Sequence, residues 1–292
     1  MKRYFCLLVL ITIFLTNCEK KEEFSFVFMT DIHLENGRNA IEGFNKAIAK
    51  VNELEPDFVI TGGDLIMDAL GQNFERADSL YNMYDSVAAK INAPVYNTLG
   101  NHEVFGLYKK SGVSPDNPLY GKELFKQRVH KDTYYSFDMK GWHFMVLDAI
   151  GFTPERTYYG HIDSSQLAWI KSDLSKLDKE TPIAISVHIP MVNILTSATE
   201  KEADKGIVVT NCMEVLKEFN EYNLKLILQG HMHTVQEIII KDMHFITCGA
   251  VSAHWWLGDH YGFEEGFGLF KVKGDEFDWE YIDYGWEVEK KE

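Results

Sequence analysis

Residues 24–33 read Phe24-Ser25-Phe26-Val27-Phe28-Met29-Thr30-Asp31-Ile32-His33. The aromatic-rich run from Phe24 to Met29 predicts a buried strand, and it gives way to polar side chains at Thr30 and Asp31. Asp31 and His33 lie two residues apart, so extended backbone turns both to one side. Downstream, Ile41, Phe44, Ala47, Ile48 and Val51 recur at helical spacing within 39–54, and Pro56 stops that helix before a strand-like run at Phe58–Thr61. This is a βαβ unit. A second helix is expected from Phe74 to Ile91 and a strand from Val95 to Leu99.

The second half repeats the alternation. A hairpin over Thr133–Phe137 and Trp142–Leu147 precedes a helix over Ser164–Leu177 that Asp163 or Ser164 caps. A strand at Ile183–Val187, a helix near Glu214–Asn220 and a strand at Leu224–Leu228 follow. The last third reads as hairpins, Val235–Ile240 with His244–Thr247 and Leu269–Val272 with Phe277–Ile282. Helices alternating with strands in both halves predict an α/β fold, a four-layer α/β/β/α sandwich with two central mixed sheets.

The 292 residues carry 29 Lys plus Arg against 44 Asp plus Glu, a net charge of -15, and 46% of them are hydrophobic. That composition excludes extended disorder, and the acidic surface repels polyanions, so no nucleic-acid polymer is expected as a partner. The N-terminus has Lys2 and Arg3 followed by an apolar stretch from Tyr4 to Leu15, which is the pattern of an export signal and too short to span a membrane. Leu15-Thr16-Asn17-Cys18 resembles a bacterial lipobox, with Asn before the Cys where Gly, Ala or Ser is usual. Residues 1–17 are thus expected to be a signal peptide and 18–23 a linker after a lipidated Cys18 that holds the chain to a membrane. Cys212 and Cys248 have no metal-clip spacing and stand either as one bridge or as two thiols.

Five polar clusters fall at or just past predicted strand ends, where open α/β sheets place their ligands. They are Asp31 with His33, Asp64 after Gly62 and Gly63, Asn101-His102-Glu103 after Gly100, His188, and His231 with His233 after Gly230. Mixed imidazoles and carboxylates suit Zn, Fe or Mn, and seven ligands exceed what one tetrahedral ion takes but fit two. Two dications side by side need a bridging anion, for which Asp64 is placed, and a hydroxide generated between them near neutral pH can attack phosphorus.

The ordered set Asp31-x-His33, Gly63-Asp64, Gly100-Asn101-His102-Glu103, His188 and Gly230-His231-x-His233 resembles the calcineurin-like metallophosphoesterase superfamily over roughly residues 24–283. The resemblance implies one metal held by Asp31, His33 and His233, another by Asn101, His188 and His231, and Asp64 between them. The cofactors would be two divalent or mixed-valence transition metals, Mn, Zn or Fe. His102 is then uncoordinated and implied to protonate the leaving oxygen, oriented by a carboxylate, Asp68 or Glu103. Purple acid phosphatases of this superfamily carry a Tyr three residues after the bridging Asp, where this chain has Met67. The phosphodiesterase-like branch is therefore favoured, as a single domain over 24–292 acting on a small phosphoester. A broad phosphomonoesterase and a non-catalytic binding lipoprotein are the alternatives.

Outside the motifs, His254, Trp255 and Trp256 stand either as a substrate wall or as core aromatics. Asn193 is a phosphate contact or a loop cap, and Thr196–Gly206 reads as a mobile loop, standing either as a lid or as solvated surface. His130, His143, His161, His244 and His260 have no motif context and are read as structural.

Overall fold

The computed structural model describes residues 21–195 and 205–288. The expected signal, Cys18 and most of the Thr196–Gly206 loop lie outside them. The first sheet has the order β13-β12-β1-β2-β3: β1 (Glu23–Met29), β2 (Phe58–Thr61) and β3 (Val95–Asn97) run parallel, and β12 (Gly266–Lys273) and β13 (Glu276–Asp283) extend it antiparallel. The second has β5 (Trp142–Leu147), β8 (Pro182–Val187), β9 (Asn223–Gln229) and β11 (Met243–Thr247) parallel at its centre. The antiparallel β4 (Tyr135–Met139) and β10 (Gln236–Ile240) close its edges.

Alternation along β1 divides the core. Phe24, Phe26 and Phe28 point between the sheets and meet Phe58, Phe144, Leu226, Leu228, Ile246 and Phe270. Phe26 stacks on Phe58 (5.1 Å) and Phe270 (4.7 Å) and meets Phe144 edge-on (5.5 Å). The alternate residues Val27 and Met29 face outward with Phe44, Ile48 and Val51 of α1 (Ala40–Leu54) and Leu80 and Tyr81 of α2 (Phe74–Ala88). On the other side Met145 and Leu147 lie with Ile170 and Leu174 of α4 (Ser164–Leu174) and Val215 of α5 (Cys212–Glu218). A short α3 (Glu123–Arg128) precedes β4. The result is the expected four-layer arrangement.

Local chemistry set the boundaries. Asp163 caps α4 by accepting from Gln166 N at 2.8 Å, and Lys140 and Gly141 take positive φ (43° and 86°) in the two-residue turn between β4 and β5. The helix α2 ends at Ala88, short of Ile91, and β3 ends at Asn97. A small hairpin, β6 (Ile150–Phe152) with β7 (Tyr158–Gly160), has no expectation above; its strands are three residues each, too short for a period to register. Cys212 and Cys248 are free thiols.

Candidate metal centre

The five polar clusters meet where the parallel strands of both sheets end. Asp31 and His33 follow β1, Asp64 follows β2, Asn101–Glu103 follow β3, His188 follows β8, and His231 and His233 follow β9. The loops are laced by backbone bonds, Asp31 N to Gly63 O (3.0 Å), His33 N to Asp64 O (2.8 Å) and Gly230 N to His188 O (3.0 Å). Five of the seven candidate ligands, Asp31, His33, Asp64, His231 and His233, hold φ between 46° and 70°. Non-glycine residues there cost on the order of 1–3 kcal/mol each and persist where surrounding structure imposes them. Close approach needs glycine too: a Cβ on Gly100 would lie 2.2 Å from Asp64 N, and one on Gly230 2.1 Å from Thr30 Oγ1.

Each carboxylate gives one oxygen to the scaffold and turns the other inward. Asp31 Oδ2 accepts from Thr30 Oγ1 (2.7 Å) and His231 N (2.9 Å); its Oδ1 is buried, lacks a hydrogen-bond partner among the described residues, and lies 3.4 Å from His233 Nε2 and 3.8 Å from His33 Nε2. Asp64 Oδ1 accepts from His102 N (2.9 Å), while Oδ2 faces Nε2 of His188 (3.2 Å), His33 (3.6 Å) and His102 (3.7 Å). His188 and His233 donate from Nδ1 to the carbonyls of Gly62 (2.8 Å) and Ala253 (2.5 Å), which leaves their Nε2 lone pairs for the centre.

Those lone pairs converge on other donor atoms: His33 Nε2 is 3.0 Å from His233 Nε2, and His188 Nε2 is 3.0 Å from Asn101 Oδ1 and 3.2 Å from His231 Nδ1. Ligands 2.0–2.2 Å from a shared transition metal sit about 3.0–3.4 Å apart, so the spacing fits such ions. Two groups result, Asp31 with His33 and His233, and Asp64 with His188 and His231; Asp64 also meets His33 and His102. The orphaned Asp31 Oδ1, a buried acceptor costly without a partner, supports the same assignment.

The protonation pattern follows from burial and neighbouring charge. Burial alone would raise the Asp64 carboxyl, but His188 and His102 outweigh it and hold it far below the carboxylate range. Burial pushes His33 down to about 4, with the charge of His102 adding to the effect; burial and the charge of His188 take His231 down to about 3. Burial also opposes a proton on His188, yet the Asp64 carboxylate raises it to about 9.

Neither candidate carboxylate meets His102, whose Nδ1 contacts the backbone carbonyl of Met67. Glu103 is buried and accepts from Gly100 N (2.8 Å), Asp64 N (2.9 Å), Leu65 N (2.8 Å) and Ile66 N (3.3 Å). Asp68 accepts from Leu70 N (2.8 Å) and Gln72 Nε2 (3.2 Å). The structure thus places Glu103 on the loop backbone, Asp68 on its own turn and a backbone carbonyl at His102 Nδ1.

Of the remaining candidates, Trp256 is core, its N–H donating to Ile32 O (3.0 Å) and His33 O (3.1 Å), whereas the Trp255 ring lies 4.9 Å from that of His233. His260, read above as structural, stands 5.9 Å from His233, and Tyr158 stands 6.2 Å from His231. No motif marks either, since a loop reversal and a short hairpin bring them in. Asn193 Oδ1 accepts from Leu195 N (3.0 Å) in a local turn. His143 is held between Asp138 (2.7 Å) and Asp173 (3.1 Å), a structural role as expected.

Two outcomes follow. Glu103→Gln leaves at least one buried N–H unpaired, so unfolding stability should fall by about 1–3 kcal/mol and metal affinity with it, while Asp68→Asn stays within about 0.5 kcal/mol; urea unfolding and metal titration check both. Because His188 is raised to about 9, it carries a proton at pH 7 that a metal must displace. Apparent metal affinity should therefore climb as pH rises toward 9 and level off above it, with a released proton visible by calorimetry in buffers of different ionisation heat. Equal heats in all buffers would contradict this.

The comparisons agree with the centre. A 3′,5′-cyclic-nucleotide phosphodiesterase of Nostoc sp. is 23% identical over 224 residues, 73% of this chain and 73% of the relative. Purple acid phosphatase 22 of Arabidopsis thaliana is 25% identical over 229 residues, 76% of this chain; the chain spans about half of that relative's length (48%). A dimetal phosphatase from Danio rerio shares the fold with a TM-score of 0.63 at 15% identity, covering 90% of this chain and 99% of that one. Residues 24–235 match the calcineurin-like phosphoesterase family, so the chain belongs to that family and is a metal-dependent phosphoester hydrolase.

Proposed function

We propose that this chain hydrolyses small phosphodiesters at a dinuclear metal centre. What carries the proposal is the convergence of seven donor atoms from Asp31, His33, Asp64, Asn101, His188, His231 and His233, with two imidazole tautomers fixed by backbone carbonyls. Asp31 Oδ1 and the Nε2 atoms of His33 and His233 would hold one ion; Asn101 Oδ1, His188 Nε2 and His231 Nδ1 the other; Asp64 Oδ2 both. Bound transition metals supply Lewis acidity there, polarising phosphoryl oxygens and making water nucleophilic near neutral pH.

The protein's part is to place and protonate. His102 is one-fifth exposed (21%), so it reaches solvent and substrate, and its Nε2 lies 3.7 Å from Asp64 Oδ2. The Met67 carbonyl faces Nδ1 and sets the ring's orientation, which leaves Nε2 turned toward the centre. A proton on Nε2 would be the transferable one, passing to the leaving oxygen.

The diester preference draws on the phosphodiesterase of Nostoc sp. and on Met67 standing where purple acid phosphatases carry Tyr. Phosphomonoesters are the second reading, favoured by the plant phosphatase relative. We also propose export and anchoring to the cell envelope through Cys18, from the apolar run and the lipobox-like 15–18.

Protein lacking residues 1–18 and loaded with Mn should turn over bis(p-nitrophenyl) phosphate faster than p-nitrophenyl phosphate; the reverse order moves the chain to the monoesterase reading, and no turnover of either leaves a binding protein. Asn101→Ala should abolish turnover. His102→Ala should cost about 10²–10⁴-fold on a diester with an alkyl leaving group and much less with p-nitrophenolate, which leaves without a proton. For the anchor, Cys18→Ser should release the chain from the membrane fraction; continued membrane association would end that proposal.

A further inference from the structure

Between β11 and β12 runs a row of rings that the seven metal donors and His102 leave unexplained. Trp255 and Trp256 are adjacent with opposite fates. The Trp256 N–H is taken by two carbonyls of the His33 loop, whereas Trp255 Nε1 is buried without a hydrogen-bond partner among the described residues. An indole N–H is a donor only, so a dry, unpaired one requires an acceptor from elsewhere.

That orphaned donor sits on a ring 4.9 Å from His233 and 6.0 Å from His33, beside the Asp31 group of the centre. His254 continues the row 5.0 Å from Trp255, and His260 stands 4.9 Å from His254 and 5.9 Å from His233. The backbone is forced into this display: Ala253, Trp255, Trp256 and Tyr261 hold φ of 45°, 48°, 65° and 52°. Arg38 ties the segment down, donating from Nη1 to Trp255 O at 3.0 Å while its Nε lies 3.3 Å from Glu35.

We propose that Trp255, flanked by His254 and His260, is a subsite that recognises phosphoryl oxygens of the bound ester. The inference rests on the phosphoesterase reading above. Phosphoryl oxygens only accept hydrogen bonds, and ring N–H groups supply donors without adding a fixed charge to a centre already dense in imidazoles. Two sources share this chemistry, the phosphoryl group at the metal centre and a second phosphoryl group further along the substrate.

The test is calorimetric binding of inorganic phosphate and of methylenediphosphonate to the Mn-loaded protein at constant free Mn, a readout separate from turnover. Trp255→Phe keeps the ring and removes the donor. We expect roughly 5- to 10-fold weaker binding, the worth of one hydrogen bond, with Mn stoichiometry unchanged and recovery in Trp255→His. Loss with both ligands places the contact on the phosphoryl group at the centre; loss with the diphosphonate alone places it on the second group. Unchanged affinity for both overturns the proposal, as does failure of the wild type to bind either. Should Trp255→Phe lose Mn, the His254→Ala/His260→Ala pair, which leaves all seven metal donors in place, carries the same comparison. A wild type that binds phosphate but turns over no ester refutes the hydrolase reading and leaves the subsite standing.

Discussion

One carboxylate gathers the loops on which the centre stands. Glu103 draws the N–H groups of Gly100, Asp64, Leu65 and Ile66 onto two oxygens, and so binds the turn after β3 to the turn after β2. Without it, four backbone donors would be left in a dry interior, each costing about 1–3 kcal/mol. Asp64 lies inside that clasp, and its Oδ1 in turn accepts from His102 N. Asp64, His102 and Asn101, the three residues of the proposed site on these turns, are therefore positioned by a single buried group.

The two sheets supply the second half of the site independently. His188 and His231 follow β8 and β9 of one sheet, while Asp31 and Asp64 follow β1 and β2 of the other. The phenyl stack of Phe26, Phe58 and Phe270 against Phe144 fixes how these sheets face each other. Cross-sheet contacts such as Thr98 Oγ1 to Ser186 Oγ (2.7 Å) and His188 Nδ1 to Gly62 O (2.8 Å) join the sheets at the strand ends that carry the candidate ligands. Packing decided far from the centre is thus carried to it through hydrogen bonds that also set tautomers.

Strands and helices were legible because their signals are local. The phenylalanines of β1 alternate, α1 repeats its apolar residues every three or four positions, and the polar clusters fall at strand ends where a sheet presents ligands. What sequence left open was partnership across the chain. Asp68 and Glu103 were equal candidates beside His102, and only folding shows that the partner is a backbone carbonyl, an atom every residue owns and no sequence advertises. Trp255 and His260 approach His233 through a reversal built on left-handed backbone at non-glycine residues, for which composition gives no sign.

The centre is also locally frustrated, and this has a physical consequence. Five candidate ligands sit at left-handed φ, burial and then the charge of His188 depress His231, burial and then that of His102 depress His33, and Asp31 Oδ1 has no partner among the described residues. None of these features lowers the energy of the chain alone, so the helix-facing core, the phenyl core between the sheets and the Glu103 clasp must hold them in place. A site preformed in that way loses little conformational freedom on taking up ions. Binding can then satisfy the bare oxygen and remove the proton from His188, which places the favourable part of the interaction in the centre while the fold keeps its own support.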